Sequence, residues 1–580
     1  MRSYNTARYA LLFLLIVFII SGCGGREADT GSRPDKEEIS EVSSEEAKAE
    51  EEDKKDDEAV SKAIEASEEV KEEADAEETE KDEDFLLPLV AHESIYRGDN
   101  RSSLFYAKYD MLSIGEQSKK YPELEETLKK WSDAVEKEEQ EQADPLEQEA
   151  REWRDTTDEE TPYYSFRKVY MKRSDADIFS FISTSEEYTG GAHGMSGTGG
   201  YNFYTATGKE IPLTDVVTSR ERLNGVVADK LKAKYPDTAW FEDPANVLSE
   251  YGKDGMDYNW VLGNRDITFF FNPYELASYA DGGQMVSIGF DEVPGLFTGK
   301  IKPMYGAYVE SIDFYQNLNV YDKLGNTKNL MITNEYDYDT YGFPGEYMVR
   351  SIRIDYGNDF FEDEDVPVAY AYDHDIFLVH TEDGRNYLYF DCYQDNDWHS
   401  IMTYELGFSG EIRKVSETDG GFAWLHDWED GERYYKPAIF DQNKFILFGT
   451  GNVLSTVTTI RYYKTGLKGD PEPFTNYYTI RSDLTLKSTR PLRCRYLGDT
   501  EDISIDAPEV NDKNALPEEL PSGTGYRLWR TDDEAYVDCV VQDKGKHKVY
   551  RLIRDYDSEG YPCIDGVRLE DCFEELLWAG

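Results

Sequence analysis

The sequence predicts an α+β module, then a mostly β domain, then a small β-barrel-like tail. Three observations carry this reading. One run of apolar residues has helical spacing, Leu124, Leu128, Trp131 and Val135. From about residue 300 onward, short runs of β-branched and aromatic residues alternate with turn residues such as Glu382-Asp383-Gly384. The last 60 or so residues repeat that pattern around a Gly523-Thr524-Gly525 turn. The chain has 580 residues, 39% of them hydrophobic and 14% aromatic, which is too apolar for wholesale disorder and too long for one domain. With 119 acidic against 62 basic side chains its net charge is −57, and no basic cluster offsets this locally, so nucleic acid is excluded as a partner class.

Residues 1–22 read as a signal peptide. Arg2 and Arg8 precede an apolar run, Ala10 to Ile20, that falls short of the ~20 residues a membrane-spanning helix needs. The run ends in Ile20-Ser21-Gly22-Cys23, which resembles the bacterial lipobox. Its small residues let a peptidase approach the backbone, and the thiol is the nucleophile for lipid attachment. The resemblance implies that Cys23 becomes a lipidated N-terminus, anchoring the chain on the extracytoplasmic face of a cell membrane. An ordinary signal peptide with a chance cysteine is the alternative.

Residues 23–84 read as an acidic disordered tether. Between positions 26 and 84 there are 27 acidic and 9 basic residues and no Phe, Tyr or Trp, so no core can form. As a flexible coil the segment would span on the order of 40 Å, enough to hold the body away from its anchor.

Residues 85–299 read as the α+β module. Ser103 to Ile114 is strand-like, the helical stripe starts near Tyr121 and runs toward Gln142, and Pro145 is expected to stop it. Strand-like segments follow at Tyr164 to Met171 and Ile178 to Glu187. Then comes Tyr188-Thr189-Gly190-Gly191-Ala192-His193-Gly194, followed by Gly199-Gly200; six glycines and a histidine between Gly190 and Gly200 imply a loop in which backbone must approach something closely or adopt positive φ. Tyr201-Asn202-Phe203-Tyr204, Thr207-Gly208-Lys209 and Pro212-Leu213-Thr214-Asp215 follow, and later Phe271-Asn272-Pro273-Tyr274-Glu275-Leu276 with Tyr279-Ala280.

These three runs, in this order, resemble a family of extracytoplasmic modules. The family includes the lysozyme-binding ectodomain of the anti-sigma-V factor (RsiV) and the N-terminal module of the peptidoglycan deacetylase PdaC. The likeness extends from about Ile95 to Phe297. It implies an α+β binding module outside the membrane, with peptidoglycan or a cationic protein such as lysozyme as partner. The candidate binding residues are Tyr188, Gly190, Gly191, His193, Gly194, Tyr274 and Tyr279. Two departures limit what carries over. A lipobox stands where the anti-sigma factor has a cytoplasmic segment and a spanning helix, and residues 298–580 lack the Asp and His metal-ligand pattern of the deacetylase's catalytic domain. A binding or sensing protein of the bacterial envelope is therefore expected, with an envelope-acting enzyme as the alternative.

His193 admits three readings: its ring nitrogens tie down the Gly-rich loop, it contacts a ligand, or it acts as a base or metal ligand. No second His or partner carboxylate lies at a telling spacing, which favours the first. No motif calls for a cofactor. Cys392, Cys494, Cys539, Cys563 and Cys572 form no CxxC pair, so a zinc cluster is not expected; Cys563 with Cys572 is the closest pair for a disulfide, and burial of all five as small hydrophobes is the alternative.

Residues 300–510 read as the β-rich domain. About 200 residues at ~40–45 per blade would give four or five blades of a propeller, with a large sandwich as the alternative. The acidic runs Glu362-Asp363-Glu364-Asp365 and Asp395-Asn396-Asp397 lack calcium-loop spacing and are expected as solvated turns. Phe422 to Trp428 is an aromatic patch, core or sugar-stacking surface. Residues 515–580 resemble bacterial SH3-like wall-binding barrels, or else complete the preceding β domain. A short helix is expected at Leu569 to Leu577.

Overall fold

The computed structural model describes residues 85–99, 102–157, 161–253, 256–337, 348–364, 366, 375–393, 399–422, 425–426, 434–482, 484–503, 512 and 515–578. Cys23, the tether, Asp365, Asp395 to Asp397, Trp424 and Trp428 lie outside them. The described chain is mostly β, with an early α+β region.

That region is built on one mixed sheet. Strands β1 (Leu89–Asp99), β2 (Ser102–Ser113), β3 (Tyr163–Ser174), β4 (Ile178–Tyr188), β5 (Met195–Tyr204) and β6 (Lys209–Glu210) are neighbours in that order. Only β2 and β3 run parallel, and parallel neighbours need a long crossover. The helix Pro122–Thr156 supplies it. It is longer than its expected stop because Pro145 lies inside it. A mid-helix proline costs roughly 3 kcal/mol or more. Here Ala143 and Ala150, both buried, and Leu146 and Trp153 beyond the kink site pack against Phe105, Tyr109 and Tyr163, offsetting that cost.

A second, smaller sheet follows: β7 (Asn259–Leu262), β8 (Asp266–Phe271) and β9 (Gln284–Gly289), all antiparallel. The helix Arg220–Lys234, capped by the Ser219 hydroxyl accepting from Arg222 N, buries Leu223, Val227 and Leu231 in the core of this sheet. Gly200 explains how closely the two sheets meet. A Cβ there would sit 2.1 Å from the Trp260 carbonyl oxygen. Only a glycine lets β5 rest on β7, and Asn202 locks the contact by donating to Trp260 O at 2.9 Å while accepting from Leu262 N at 2.7 Å.

Beyond residue 300 two sheets face each other. β10 (Tyr308–Ile312) pairs with β15 (Asp375–His380), which leads to β16 (Asn386–Tyr393), β17 (His399–Leu406) and β18 (Ile412–Asp419). The other layer is β11 (Leu318–Tyr321), β12 (Thr327–Asp337), β13 (Met348–Tyr356) and β14 (Asp359–Asp363). Leu330, Ile332, Ile352 and Ile354 of one layer pack on Leu378, Leu388, Phe390 and Met402 of the other. Among the described residues no closed propeller or barrel is formed; the arrangement is a two-layer sandwich. The physical reason lies in Ile376-Phe377-Leu378-Val379. Alternate residues of this run enter two different cores, so the five-stranded sheet is covered on both faces, as continuous apolar strands require.

The second of those cores joins the early module to the sandwich. Val90, Leu112 and Phe181 share it with Phe377, Tyr389, Phe422 and Phe440. Phe422 is thus core. The strand Tyr434–Pro437 also crosses the expected boundary at residue 300 and adds to the edge of the first sheet, pairing Val90 with Lys436. Lys436 is 4% exposed, and its ammonium lies 2.5 Å from Asp375 and 2.7 Å from Asp391. Burial opposes all three charges, yet the cation holds both carboxyls below their ordinary range and they in turn raise the ammonium.

Tail and preceding strands share one sheet. Gly525–Thr531 pairs with Tyr478–Arg481 and Thr485–Lys487, and Leu492–Asp499 pairs with Lys546–Tyr556. The tail strands therefore complete the preceding β structure. The helix at the end is shorter than expected, Leu569–Cys572, since Phe573 turns extended and Glu574 N bonds to Lys487 O. All five described cysteines are free and buried. Glu362 and Asp363 are not in a solvated turn but on β14, where Asp363 accepts from the Tyr404 hydroxyl at 2.8 Å and pairs with Lys414 at 3.0 Å.

Candidate functional site

A groove of about 500 Å³ lies where the two early sheets meet the chain following β10. Its floor is the face of β3 to β5 that carries Phe166, Lys168 and Tyr170, then Ile182 and Thr184, then Ser196 to Thr198. Residues 270–273 and 283–285 form one wall, and Asp313 to Gln316 the other. Period-two alternation puts the floor residues on one face of the sheet, while Val169 and Met171 face a core.

The charged groups lining the groove are one cation, Lys168, and two carboxyls, Glu186 and Asp313. Burial pushes the Asp313 carboxyl above its ordinary range, against the pull of the Lys168 charge and a hydrogen bond from Tyr170. The Lys168 ammonium lies 5.5 Å from the centre of the Tyr170 ring. Glu186 accepts from the Tyr164 hydroxyl at 2.9 Å.

None of the seven residues expected from the sequence lines this groove; they gather in one loop and one turn adjacent in sequence to its lining residues Ser196 and Pro273. Gly190 and Gly191 have φ of 88° and 93°, and a Cβ on Gly190 would meet the Tyr163 hydroxyl at 2.9 Å. The Tyr188 hydroxyl donates to Gly191 O at 3.2 Å. His193 Nδ1 donates to the carbonyl of Gly194 at 2.9 Å, a hydrogen bond within the loop. Its ring stacks on Tyr279 with centroids 3.9 Å apart and planes 15° from parallel, and Tyr279 lies 6.0 Å from Tyr274. So the Gly-rich loop and the Tyr274–Tyr279 turn touch through His193. Both connect directly to the groove, since Thr198 N donates to Asn272 Oδ1 at 2.8 Å and both residues line it.

The residues singled out in the sequence lie in this loop and turn, and none of those lining the groove is among them. Lys168 carried a faint signal as a charge within an otherwise apolar strand. Tyr315 carried none, because it sits past the expected end of the module. Yet Tyr315 and Tyr274 are two of six described non-glycine residues at positive φ, 61° and 69°, and both are about half exposed. A bulky side chain in that region costs about 1–3 kcal/mol and persists only where surroundings over-determine it, as they do at ligand clamps. The Tyr315 hydroxyl is held by Asn334, donating to its O and Oδ1 at 3.0 and 2.9 Å.

Among the described residues no cluster of three His, Cys, Asp or Glu side chains is placed to hold a metal ion, and no helix is long and apolar enough to cross a membrane.

Two family models match this region in succession. Residues 113–196 match the model described as deacetylase PdaC, and residues 214–291 match a family of proteins of unknown function, DUF3298. The groove floor belongs to the first and the β8 to β9 wall to the second. The chain thus carries a PdaC-like segment followed by a DUF3298 segment, in agreement with the three motifs. Solved structures similar to it include a DUF3298 family member from Bacteroides fragilis, with 18% identity over 37% of this chain and 95% of that one and a TM-score of 0.28. Another is a DUF3298 family protein from Pseudomonas aeruginosa, with 18% identity over 38% of this chain and 98% of that one and a TM-score of 0.27. None of the curated proteins matches the chain.

Proposed function

We propose that this chain is a lipid-anchored, extracytoplasmic binding or sensing protein of the bacterial cell envelope, with the groove and its tyrosine rim as the ligand site. The observation that carries the reading is the groove itself. It lies at the seam between the PdaC-like and DUF3298 segments, and two exposed tyrosines flank it on strained backbone. The lipobox resemblance at Cys23 and the acidic tether support an anchor with reach. The tail strands share one core with the strands before them, Val457 and Ile480 packing with Tyr526, Val537 and Leu552, so the reading rests on the groove and not on a separate wall-binding barrel. Peptidoglycan and a cationic protein such as lysozyme are the partner classes.

The test is co-sedimentation of the full chain with insoluble peptidoglycan, with and without lysozyme, at low and moderate salt. Retention on the wall alone points to a wall adaptor. Salt-sensitive capture of lysozyme points to a sensor. Binding of neither refutes the reading and leaves wall-product analysis to test for an enzyme.

A further inference from the structure

Three turns at one end of the sandwich carry large apolar residues at their tips. β11 joins β12 through Asp322-Lys323-Leu324-Gly325, and β17 joins β18 through Gly407-Phe408-Ser409-Gly410. Gly466-Leu467-Lys468-Gly469 joins the paired strands Thr456–Thr465 and Pro471–Pro473. All three open at the same end. Leu406 pairs with Asn386, whose amide donates to Tyr321 O at 2.9 Å, and the neighbouring Arg385 guanidinium donates to the Leu467 carbonyl.

The tips of tight turns are ordinarily Gly, Pro, Asn, Asp or Ser. Here Leu324 and Leu467 are 87% and 86% exposed, and Phe408 is 52% exposed. One exposed leucine needs no explanation, but three large apolar groups on turns at one end of a fold mark a surface that meets something apolar. The backbone of each turn is already closed. Gly325 N donates to Asp322 O at 3.1 Å, Gly410 N to Gly407 O at 3.1 Å and Gly469 N to Gly466 O at 2.9 Å. Such a tip leaves water without stranding these groups, and it offers no open strand edge to a protein partner. Lys323 and Lys468 stand beside the two leucines, and among the described residues neither is ion-paired. Of the acidic side chains near the tips, Asp322 accepts from Leu324 N at 2.8 Å, Glu382 from Ala307 N at 3.1 Å, Asp383 from Arg385 at 2.8 Å, and Glu411 from the Ser409 hydroxyl.

We propose that these turns dip into the headgroup layer of a phospholipid bilayer, with Leu324, Phe408 and Leu467 reaching the acyl boundary and Lys323 and Lys468 meeting the phosphates. Apolar groups that enter a bilayer by ~5–10 Å, with the charged ends of lysines held at the headgroups, are the general form of such contacts. Separate convex tips suit a fluid surface, whereas a protein interface buries a contiguous ~800 Å² on each side. The inference rests on the membrane-anchored reading above, because a lipidated Cys23 keeps the body beside a bilayer.

The experiment floats the chain from residue 24 onward, which keeps every described residue and lacks the anchor, with vesicles of phosphatidylglycerol and phosphatidylcholine. The variants are Leu324→Asn with Leu467→Asn, Lys323→Gln with Lys468→Gln, and Leu516→Asn, an exposed leucine of the tail sheet outside these turns. All are exposed positions, and thermal unfolding checks that each variant is folded. The expected result is flotation of the native sequence, at least tenfold weaker partitioning in the leucine pair, severalfold weaker in the lysine pair and unchanged in Leu516→Asn. Absence of flotation, or flotation unchanged in either pair, overturns the proposal. So does a chain that ignores vesicles but self-associates through Leu324 and Leu467 in sedimentation velocity, which assigns the tips to a second copy. None of these failures touches the anchor itself, which falls only if the full chain carries no lipid mass.

Discussion

Replacing Lys436 by Met tests how the early module and the sandwich are held together. In the native chain one buried ammonium serves two buried carboxylates, Asp375 at 2.5 Å and Asp391 at 2.7 Å. Methionine fills similar volume but leaves two carboxylates in a site of low polarity without their counter-charge. Removing one partner of a buried ion pair costs about 3–5 kcal/mol. That is a large fraction of the about 5–15 kcal/mol that stabilises a typical domain. The pH dependence gives the sharper signature. Asp375 and Asp391 are held below their ordinary values in the folded protein. Their contribution is thus fully present above the unfolded value of about 3.9 and is lost as pH falls through the lowered folded values. In Lys436→Met Asp391 keeps His399 at 3.3 Å and the Phe422 N–H, and Asp375 keeps the Lys168 and His92 charges, but both lose the ammonium in contact with them, so their folded values rise and protonation relieves the variant. Chemical denaturation of both proteins between pH 7 and pH 4 should show a deficit of about 3–5 kcal/mol at neutrality that shrinks on acidification. A deficit below about 1 kcal/mol at pH 7, or one that does not change with pH, would refute the reasoning.

Three further outcomes are expected. Cys23→Ser should carry no lipid mass and lose stable partitioning into membranes; a variant that still partitions with unchanged mass sinks the anchor. Gly200→Ala should lower stability by about 1–3 kcal/mol or fail to fold, because its Cβ would fall 2.1 Å from the Trp260 carbonyl oxygen, and thermal unfolding reads this directly. His92 is buried beside Asp110, 2.6 Å away; burial alone would lower its value, but the Asp110 charge and hydrogen bond raise it above 6.5. Its contribution is fully present below about pH 6.5 and is lost as pH rises through the raised folded value. The pH slope of stability just above pH 6.5 should therefore flatten in His92→Asn.

What could be read in advance follows from which interactions are local. The helical stripe from Leu124 to Val135 and the strands β2 to β4 are governed by residues within a few positions of each other, and each stands where the sequence put it; the glycine run expected as a loop through Gly200 is a loop only as far as Gly194, because Met195 to Gly200 pair with Ile182 to Glu187 as part of β5. The helix end was misplaced because Pro145 is a local stop overridden by tertiary packing of Ala150 and Trp153. Sheet pairing beyond residue 300 was not legible, since strand runs such as Ile376 to His380 show that a strand forms but not its neighbours. The groove was not legible for the same reason. The loop and turn beside it carry a glycine and tyrosine signature, whereas its second wall arrives from Asp313 to Gln316.

The strand Tyr434–Pro437 has a consequence for how this chain reaches its native state. It covers part of β1 from more than 300 residues further along the chain, whereas β2 is available at once on the other side. A chain synthesised N-terminus first therefore presents its first sheet with an open border until most of the polypeptide has followed. Contacts so distant in sequence slow folding, and an uncovered border is a template for pairing with other chains. A truncation that stopped after the DUF3298 segment would make that transient state permanent, so the two family-matched segments do not by themselves close the sheet they build.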